Sequence, residues 1–243
     1  MGIAENVAAV KANIAKAAVA SGRRPEDVLL VAATKMNDSA RVREAIAAGV
    51  DICGENRVQE LIEKNAQHAY DGVPLHFIGH LQKNKVKNVV GTVQLIQSAD
   101  SIPLLEAIDK CAAAKGLVQD VLLEVNIGRE NSKSGFFEDE VSSALLRAAS
   151  FGNVRVRGLM TIPPVSSFPQ KNYDFFITMK QLFIDNGQKK YDNVAMDFLS
   201  MGMSGDYAEA VACGANMVRV GSAIFGPRIY PEKTTPQPLE VKP

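Results

Sequence analysis

The chain has 243 residues, 47% of them apolar and 22% charged, enough to bury one substantial core. Lysine and arginine number 27, as do aspartate and glutamate, so the formal net charge is zero. That balance excludes the overall field on which non-specific nucleic-acid binding relies, and no apolar run approaches the ~20 residues a membrane helix needs.

Residues 4–20 are alanine-rich, with Ile3, Val7, Val10 and Ile14 spaced by three and four, and read as an amphipathic helix. Glu5, Lys11 and Lys16 among those alanines exclude a signal-peptide core, and Asn6 stands where a myristoylation motif wants Ser or Thr. Ser21-Gly22-Arg23-Arg24-Pro25 stops the helix. Residues 28–34 follow, apolar almost throughout, as a strand buried on both faces suits. Further strands are expected at 51–53, 75–78, 93–97, 121–127, 154–161, 194–199 and 216–220. Helical patterns lie between them at 38–48, 56–67, 83–90, 101–115, 138–149, 169–187 and 204–213.

Eight strands alternating with helices imply parallel βαβ units. An open doubly wound sheet and a closed barrel both satisfy that pattern. Eight units in under ~250 residues, without a Gly-x-Gly-x-x-Gly turn after the first strand, favour a single α/β domain, a (β/α)8 TIM barrel with an extra N-terminal helix. The barrel is expected over 1–226. Residues 227–243, with five prolines, read as an extended tail. Cys53, Cys111 and Cys213 lie far apart without a C-x-x-C spacing, as reduced thiols of a cytoplasmic protein would.

Chemistry in such a barrel sits at the carboxyl ends of the strands. Lys35 follows the first strand, and alternation puts it on the face of Leu29, Val31 and Ala33, toward the barrel mouth. Burial lowers an ammonium pKa and frees a nucleophilic amine, the requirement for a Schiff base. Position alone equally fits a strand-end lysine that reaches solvent. Ser200-Met201-Gly202-Met203-Ser204-Gly205-Asp206 follows strand seven, and Arg219-Val220-Gly221-Ser222 spans the end of strand eight. The loops after these two strands commonly bind phosphate in this fold, and glycines let backbone amides approach an anion. Asp206 argues against an anion there unless it points outward.

Arg219, on an otherwise apolar strand, needs an acceptor. Asp197 or Glu124 could supply it, or a ligand atom could. Were the ligand a pyridine, arginine could not take up the ring proton, which points away from transamination. Asn56 either contacts a ligand or caps the next helix. His76 and His80 sit roughly 13 Å apart along a strand, too far to share a metal. His80 is placed toward the pocket, His76 in the structure and His68 on the surface; no metal site emerges. Lys83 and Lys87 read as a solvated face. The polar stretch 126–135 is either a mobile loop over the mouth or a plain surface loop, and Met160 either lines the pocket or packs.

Five pieces in order resemble the pyridoxal 5′-phosphate homeostasis protein family (the YggS/PROSC group). They are Val31-Ala32-Ala33-Thr34-Lys35, Gly54-Glu55-Asn56 with Gln59-Glu60, residues 76–82, residues 200–204 and residues 219–222. The resemblance runs from about Asn6 to Pro227. It implies a barrel like the N-terminal domain of alanine racemase, with pyridoxal 5′-phosphate (PLP) held on Lys35 as an internal aldimine. Arg219 would meet the pyridine nitrogen, and Ser204, Gly205, Gly221 and Ser222 would hold the phosphate. Asn56 would contact the polar edge of the cofactor, with His80 and Met203 also at the site. Thr34 departs from the Ser that many members carry.

Three functions compete. The first is a PLP-binding protein that keeps the reactive aldehyde at a safe level, a cytoplasmic monomer without established turnover, with PLP-dependent apo-enzymes as candidate recipients. The second is a PLP-dependent racemase or decarboxylase; the chain ends soon after strand eight, so Tyr207 or Tyr230 would have to replace the acid or base that such enzymes take from a further domain. The third is a Schiff-base aldolase that uses Lys35 without a cofactor.

Overall fold

A strand with no polar face is satisfied only between two apolar layers, and β1 (Leu29–Ala33) is such a strand. The computed structural model describes residues 2–164 and 169–227. In it β1 pairs in parallel with β2 (Ile52–Glu55). The order continues through β3 (Leu75–Phe77), β4 (Leu95–Ala99), β5 (Gln119–Val125), β6 (Val154–Thr161), β7 (Val194–Ser200) and β8 (Met217–Val220). Strand β8 then pairs with β1, placing Arg219 opposite Val31, and the barrel is closed. The expected (β/α)8 barrel is thus the observed one.

Alternation along each strand divides the core in two. Val31, Ile52, Ile78, Leu95, Leu122, Met160 and Met217 fill the barrel, so Met160 packs. Leu30, Ala32, Cys53, Phe77, Ile96 and Leu123 face the helices in a second, larger cluster. That outer layer comprises α2 (Ser39–Ala47), α3 (Val58–Ala66), α4 (Val86–Val89), α5 (Ile102–Ala114), α6 (Val141–Ala148), α7 (Pro169–Gly187), α8 (Tyr207–Ala212) and the short α9 (Ser222–Phe225). The extra helix, α1 (Ile3–Ala20), buries Ile3, Val7, Val10, Ile14 and Ala18 against α8, α9 and α2. Asn6 donates to the Ile224 carbonyl at 2.9 Å and Asn13 to the Tyr207 hydroxyl at 3.1 Å, fixing its register.

Several expected elements differ in their bounds. The helix expected over 83–90 is a 3-10 turn (Lys83–Lys85) running into the single turn of α4. Three exposed lysines repel one another there, and Val86, Val89 and Val90 are stiff β-branched residues with modest helix propensity. Strand β4 begins two residues later than expected, because Val93 is spent on an isolated bridge to Val90. The proline-rich tail lies outside the described residues beyond Pro227. Among the described residues no helix is long and apolar enough to cross a membrane, and none of the three cysteines is in a disulfide. Burial pushes the Cys53 thiol up to about 12 and Cys213 to about 11, so neither is a reactive thiolate.

Ile14→Ala removes a buried anchor of α1 and is expected to cost about 2–4 kcal/mol in urea unfolding. The slope of the transition should stay unchanged if α1 unfolds with the barrel.

Candidate functional site

Strand β1 places Leu29, Val31 and Ala33 toward the barrel interior, and Lys35 continues that face half-buried at the mouth. Thr34 points the other way, into a polar knot between barrel and helices. Glu55, fully buried at the end of β2, accepts from Lys64 Nζ at 2.8 Å, Thr34 Oγ1 at 3.0 Å and Tyr70 OH at 3.1 Å. Its other oxygen accepts from the Asn56 backbone N–H at 2.8 Å. Lys64, 7% exposed on α3, also donates to the Thr34 carbonyl at 2.9 Å and to Glu60 at 2.8 Å. Glu60 in turn accepts from the Met36 N–H at 2.7 Å. Burial works against the Glu60 carboxylate, but the bonds from Lys64 and Met36 prevail and hold it below the usual carboxylate range. Burial and the Glu55 charge push the Tyr70 phenol up, keeping it a donor.

Met36 needs that support. Its φ of +60° is left-handed, a conformation that costs a non-glycine residue about 1–2 kcal/mol. The strained residue adjoins Lys35 and turns the chain away from the mouth into α2.

The loops after β7 and β8 meet beside this lysine. A Cβ on Gly221 would touch Ala33 Cβ at 3.4 Å, so the β8 loop packs against the lysine-bearing strand. Ser204 Oγ accepts from the N–H groups of Gly221 at 3.1 Å and Ala223 at 3.3 Å, two amides converging on one oxygen. Lys35, Gly221 and Ser222 line a cleft of about 390 Å³ with Asn37, Arg41 and Phe225. Gly205 is exposed in the turn after Ser204, and nothing within 4 Å would meet a side chain there. Gly202 is required: its φ is +91°, and a Cβ would come within 2.6 Å of Ala210 Cβ. Asp206 does not point outward as expected. Its carboxylate accepts from the Met203 N–H at 2.6 Å, so that amide is taken by the loop itself. The expected helix therefore starts only at Tyr207.

Arg219, 4% exposed, donates to Ser200 Oγ at 2.5 Å and to the Thr161 carbonyl at 2.8 Å. Neither expected carboxylate is an ion-pair partner: Asp197 binds Arg157, and Glu124 acts on Arg219 only as a nearby charge. Burial lowers the Arg219 pKa to about 10, still well above neutrality. Glu124 shares the inward face of Leu122 on β5, and burial with the Asp100 charge pushes it up to about 7.

Asn56 is not a cap; Arg57 occupies that position without a side-chain bond. Asn56 Oδ1 is buried and lacks a hydrogen-bond partner among the described residues. Gly79 lets this segment lie close, since a Cβ there would fall 2.1 Å from the Asn56 carbonyl oxygen. His80 is at the rim, its side chain 60% exposed, with Nδ1 3.1 Å from Asp100 and 3.4 Å from Ser134 Oγ. His68 is exposed, and His76 is buried against Gln97, with burial lowering its pKa to about 4. The 126–135 stretch is pinned by Asn126, whose side chain bonds Glu130 and Lys133, and it reaches the rim where Ser134 meets His80. No cluster able to hold a metal occurs among the described residues.

Lys35, Gly221 and Ser222 are thus brought together, with Ser204 bonded to that loop and Arg219 below it. Glu55, Lys64, Tyr70 and Gln97 were missed as supports. The available signal was Glu55 inside an otherwise apolar strand end.

The family model of the alanine racemase N-terminal domain matches residues 6–229. A pyridoxal phosphate homeostasis protein of Aquifex aeolicus is 39% identical over 230 residues, 95% of this chain and all of that one. One of Escherichia coli is 36% identical over 95% of this chain and 99% of its own. Among solved structures, PipY of Synechococcus elongatus with PLP bound has a TM-score of 0.80 at 32% identity, covering 92% of this chain and 100% of that one. An alanine racemase of Clostridium difficile, at 15% identity, a TM-score of 0.68 and coverage of 90% of this chain and 56% of its own, shares the fold.

Glu55→Gln should cost up to about 3 kcal/mol in urea unfolding, because Lys64 loses the more deeply buried of its two counter-charges and keeps Glu60. Stability should also respond to acid through His76. Its folded pKa lies below the ordinary 6.5, so the unfolded chain binds the extra proton. Stability from this group is complete above about pH 6.5 and is lost as pH falls toward 4, by up to about 3 kcal/mol. His76→Phe should remove that acid limb from the pH dependence of unfolding.

Proposed function

Because the chain belongs to the pyridoxal phosphate homeostasis protein family, we propose that it binds PLP as a Schiff base on Lys35 and serves intracellular vitamin B6 and amino-acid homeostasis without catalytic turnover. The observation that carries this reading is the placement of Lys35 on the inward face of β1, beside the Gly221-Ser222 loop and above Arg219.

The residues fit the cofactor. The amides of Gly221 and Ala223 converge on the Ser204 oxygen, which stands where they could serve a phosphate oxygen, and Ser204, Gly205, Gly221 and Ser222 would hold that group. The partnerless Asn56 Oδ1 has acceptor capacity for the cofactor's polar edge, and His80 and Met203 are proposed outer contacts. When bound, the cofactor supplies an aldehyde for amine capture and a pyridine ring able to accept electrons. Lys35 contributes the amine. Arg219 stays charged at neutral pH, so it would donate to the ring nitrogen and could not accept a proton there. That arrangement disfavours carbanion chemistry and suits storage. The unpaired thiols of Cys53, Cys111 and Cys213 suit the cytoplasm. We take the working form to be a monomer that supplies PLP-dependent apo-enzymes.

The racemase reading loses Tyr207, which is 9% exposed and bonded to Asn13 on α1, behind the barrel. It retains Glu124, whose near-neutral carboxyl could move a proton.

Protein saturated with PLP should show an imine absorbance band, and borohydride should fix the label on Lys35 by mass spectrometry. Lys35→Ala should abolish both; an unchanged band, or a label on another lysine, overturns the assignment. Incubation with amino acids followed by chiral analysis should show no turnover, and rates of ~1 per second or faster would establish the racemase instead.

A further inference from the structure

The interior of the barrel is not wholly apolar. Below Arg219, three further side chains form a continuous polar seam. Arg219 Nη1–H donates to Ser200 Oγ at 2.5 Å, and the Ser200 hydroxyl donates to Gln97 Oε1 at 2.7 Å. Gln97 Nε2 approaches His76 Nδ1 at 3.0 Å and Met217 Sδ at 3.1 Å. All four polar residues are at most 5% exposed. His76 also lines a second cavity of about 300 Å³ with Leu29, Asp51, Asp120 and Arg157, at the end of the barrel opposite Lys35.

The direction of every bond in this seam follows from its upper end. Arginine has only donors, so Ser200 must accept from it, and the single serine hydrogen then goes to Gln97 Oε1. That choice turns the amide Nε2 toward His76 Nδ1, which must be an acceptor with the ring proton on Nε2. Flipping Gln97 would aim amide hydrogens at Ser200 and leave the serine hydrogen without its acceptor. Burial keeps His76 neutral down to about pH 4, so the acceptor persists. Arg219 has no carboxylate within ion-pair distance among the described residues, so Ser200 and the Thr161 carbonyl are what fix its plane.

We propose that Ser200, Gln97 and His76 act together as positioning residues that hold the Arg219 guanidinium in one orientation toward the cofactor ring. This deepens the PLP reading and rests on it. The seam is a unit, because a chain of polarised hydrogen bonds in a low-dielectric interior fails when any link is cut.

Gln97→Met and His76→Phe cut the seam with side chains of similar size, and His76→Asn can retain an acceptor near Nδ1. Each of the first two should weaken PLP binding about three- to tenfold in equilibrium titration, the range set by one or two hydrogen bonds. The double variant should be no weaker than the worse single, as expected for links of one chain. In cofactor-free protein, isotope-edited NMR should show restricted rotation of the Arg219 guanidinium in the wild type and in His76→Asn, and loss of that restriction in Gln97→Met. Ser200→Ala replaces Gln97→Met in every arm should the latter fail to fold. Wild-type affinity in the cut variants, additive losses in the double, or an unrestricted guanidinium in the wild type overturns the proposal. Failure of the wild type to take up PLP sinks the cofactor reading, while the NMR arm still decides whether the seam positions Arg219.

Discussion

A desolvated ion pair outside the barrel governs what happens inside it. Taking the Glu55 carboxylate and the Lys64 ammonium out of water costs several kcal/mol per ion, and their attraction offsets this only with complete hydrogen bonding. Here the bonding is complete on the cationic side: the three ammonium hydrogens of Lys64 meet Glu55, Glu60 and the Thr34 carbonyl. The consequence reaches the site through the backbone. Lys64 grips the carbonyl of Thr34, and Glu60 grips the amide of Met36, so Lys35 lies between two tethered residues. The left-handed Met36 is tolerated because its surroundings determine it so fully.

Facing this bracketed lysine, the mouth holds an arginine that stays charged at neutral pH and backbone amides that converge on one oxygen. Glu124 opposes that positive field only weakly, because burial pushes its carboxyl up to about 7. Under the proposed function, a dianionic, aldehyde-bearing ligand suits such a mouth, since its negative arm would be attracted and its carbonyl brought to an amine. Stability and function therefore share one constraint, since the knot that closes the β1–β2 edge of the barrel also sets the lysine.

Alternation made the barrel and the inward face of Lys35 legible, because a run such as Leu29–Ala33 leaves little choice of burial. The acceptor need of Arg219 was also legible, but not its answer. Ser200 and Gln97 lie 19 and 103 residues from the groups they bind, and no local spacing announces such pairs. Lys64 reads in sequence as the polar side of a short helix, and only the packing of α3 over β2 reveals a buried cation. Asp206 shows the opposite error: a first-turn carboxylate looked solvent-directed, yet a nearby loop amide captured it. Interactions set by strand period were readable, whereas those set by tertiary contact were not.

The claim that an outer ion pair sets the inner lysine is tested most directly by replacing both ions at once. Glu55→Leu with Lys64→Met removes the pair but keeps much of the volume, so the variant should be more stable than Glu55→Leu alone, which leaves Lys64 without its buried partner. PLP affinity, read by titration of the absorbance band, should nevertheless fall at least about tenfold, because Thr34 loses its tether and Glu60, without Lys64, holds Met36 less firmly. A double variant that folds and binds PLP with undiminished affinity would contradict the account.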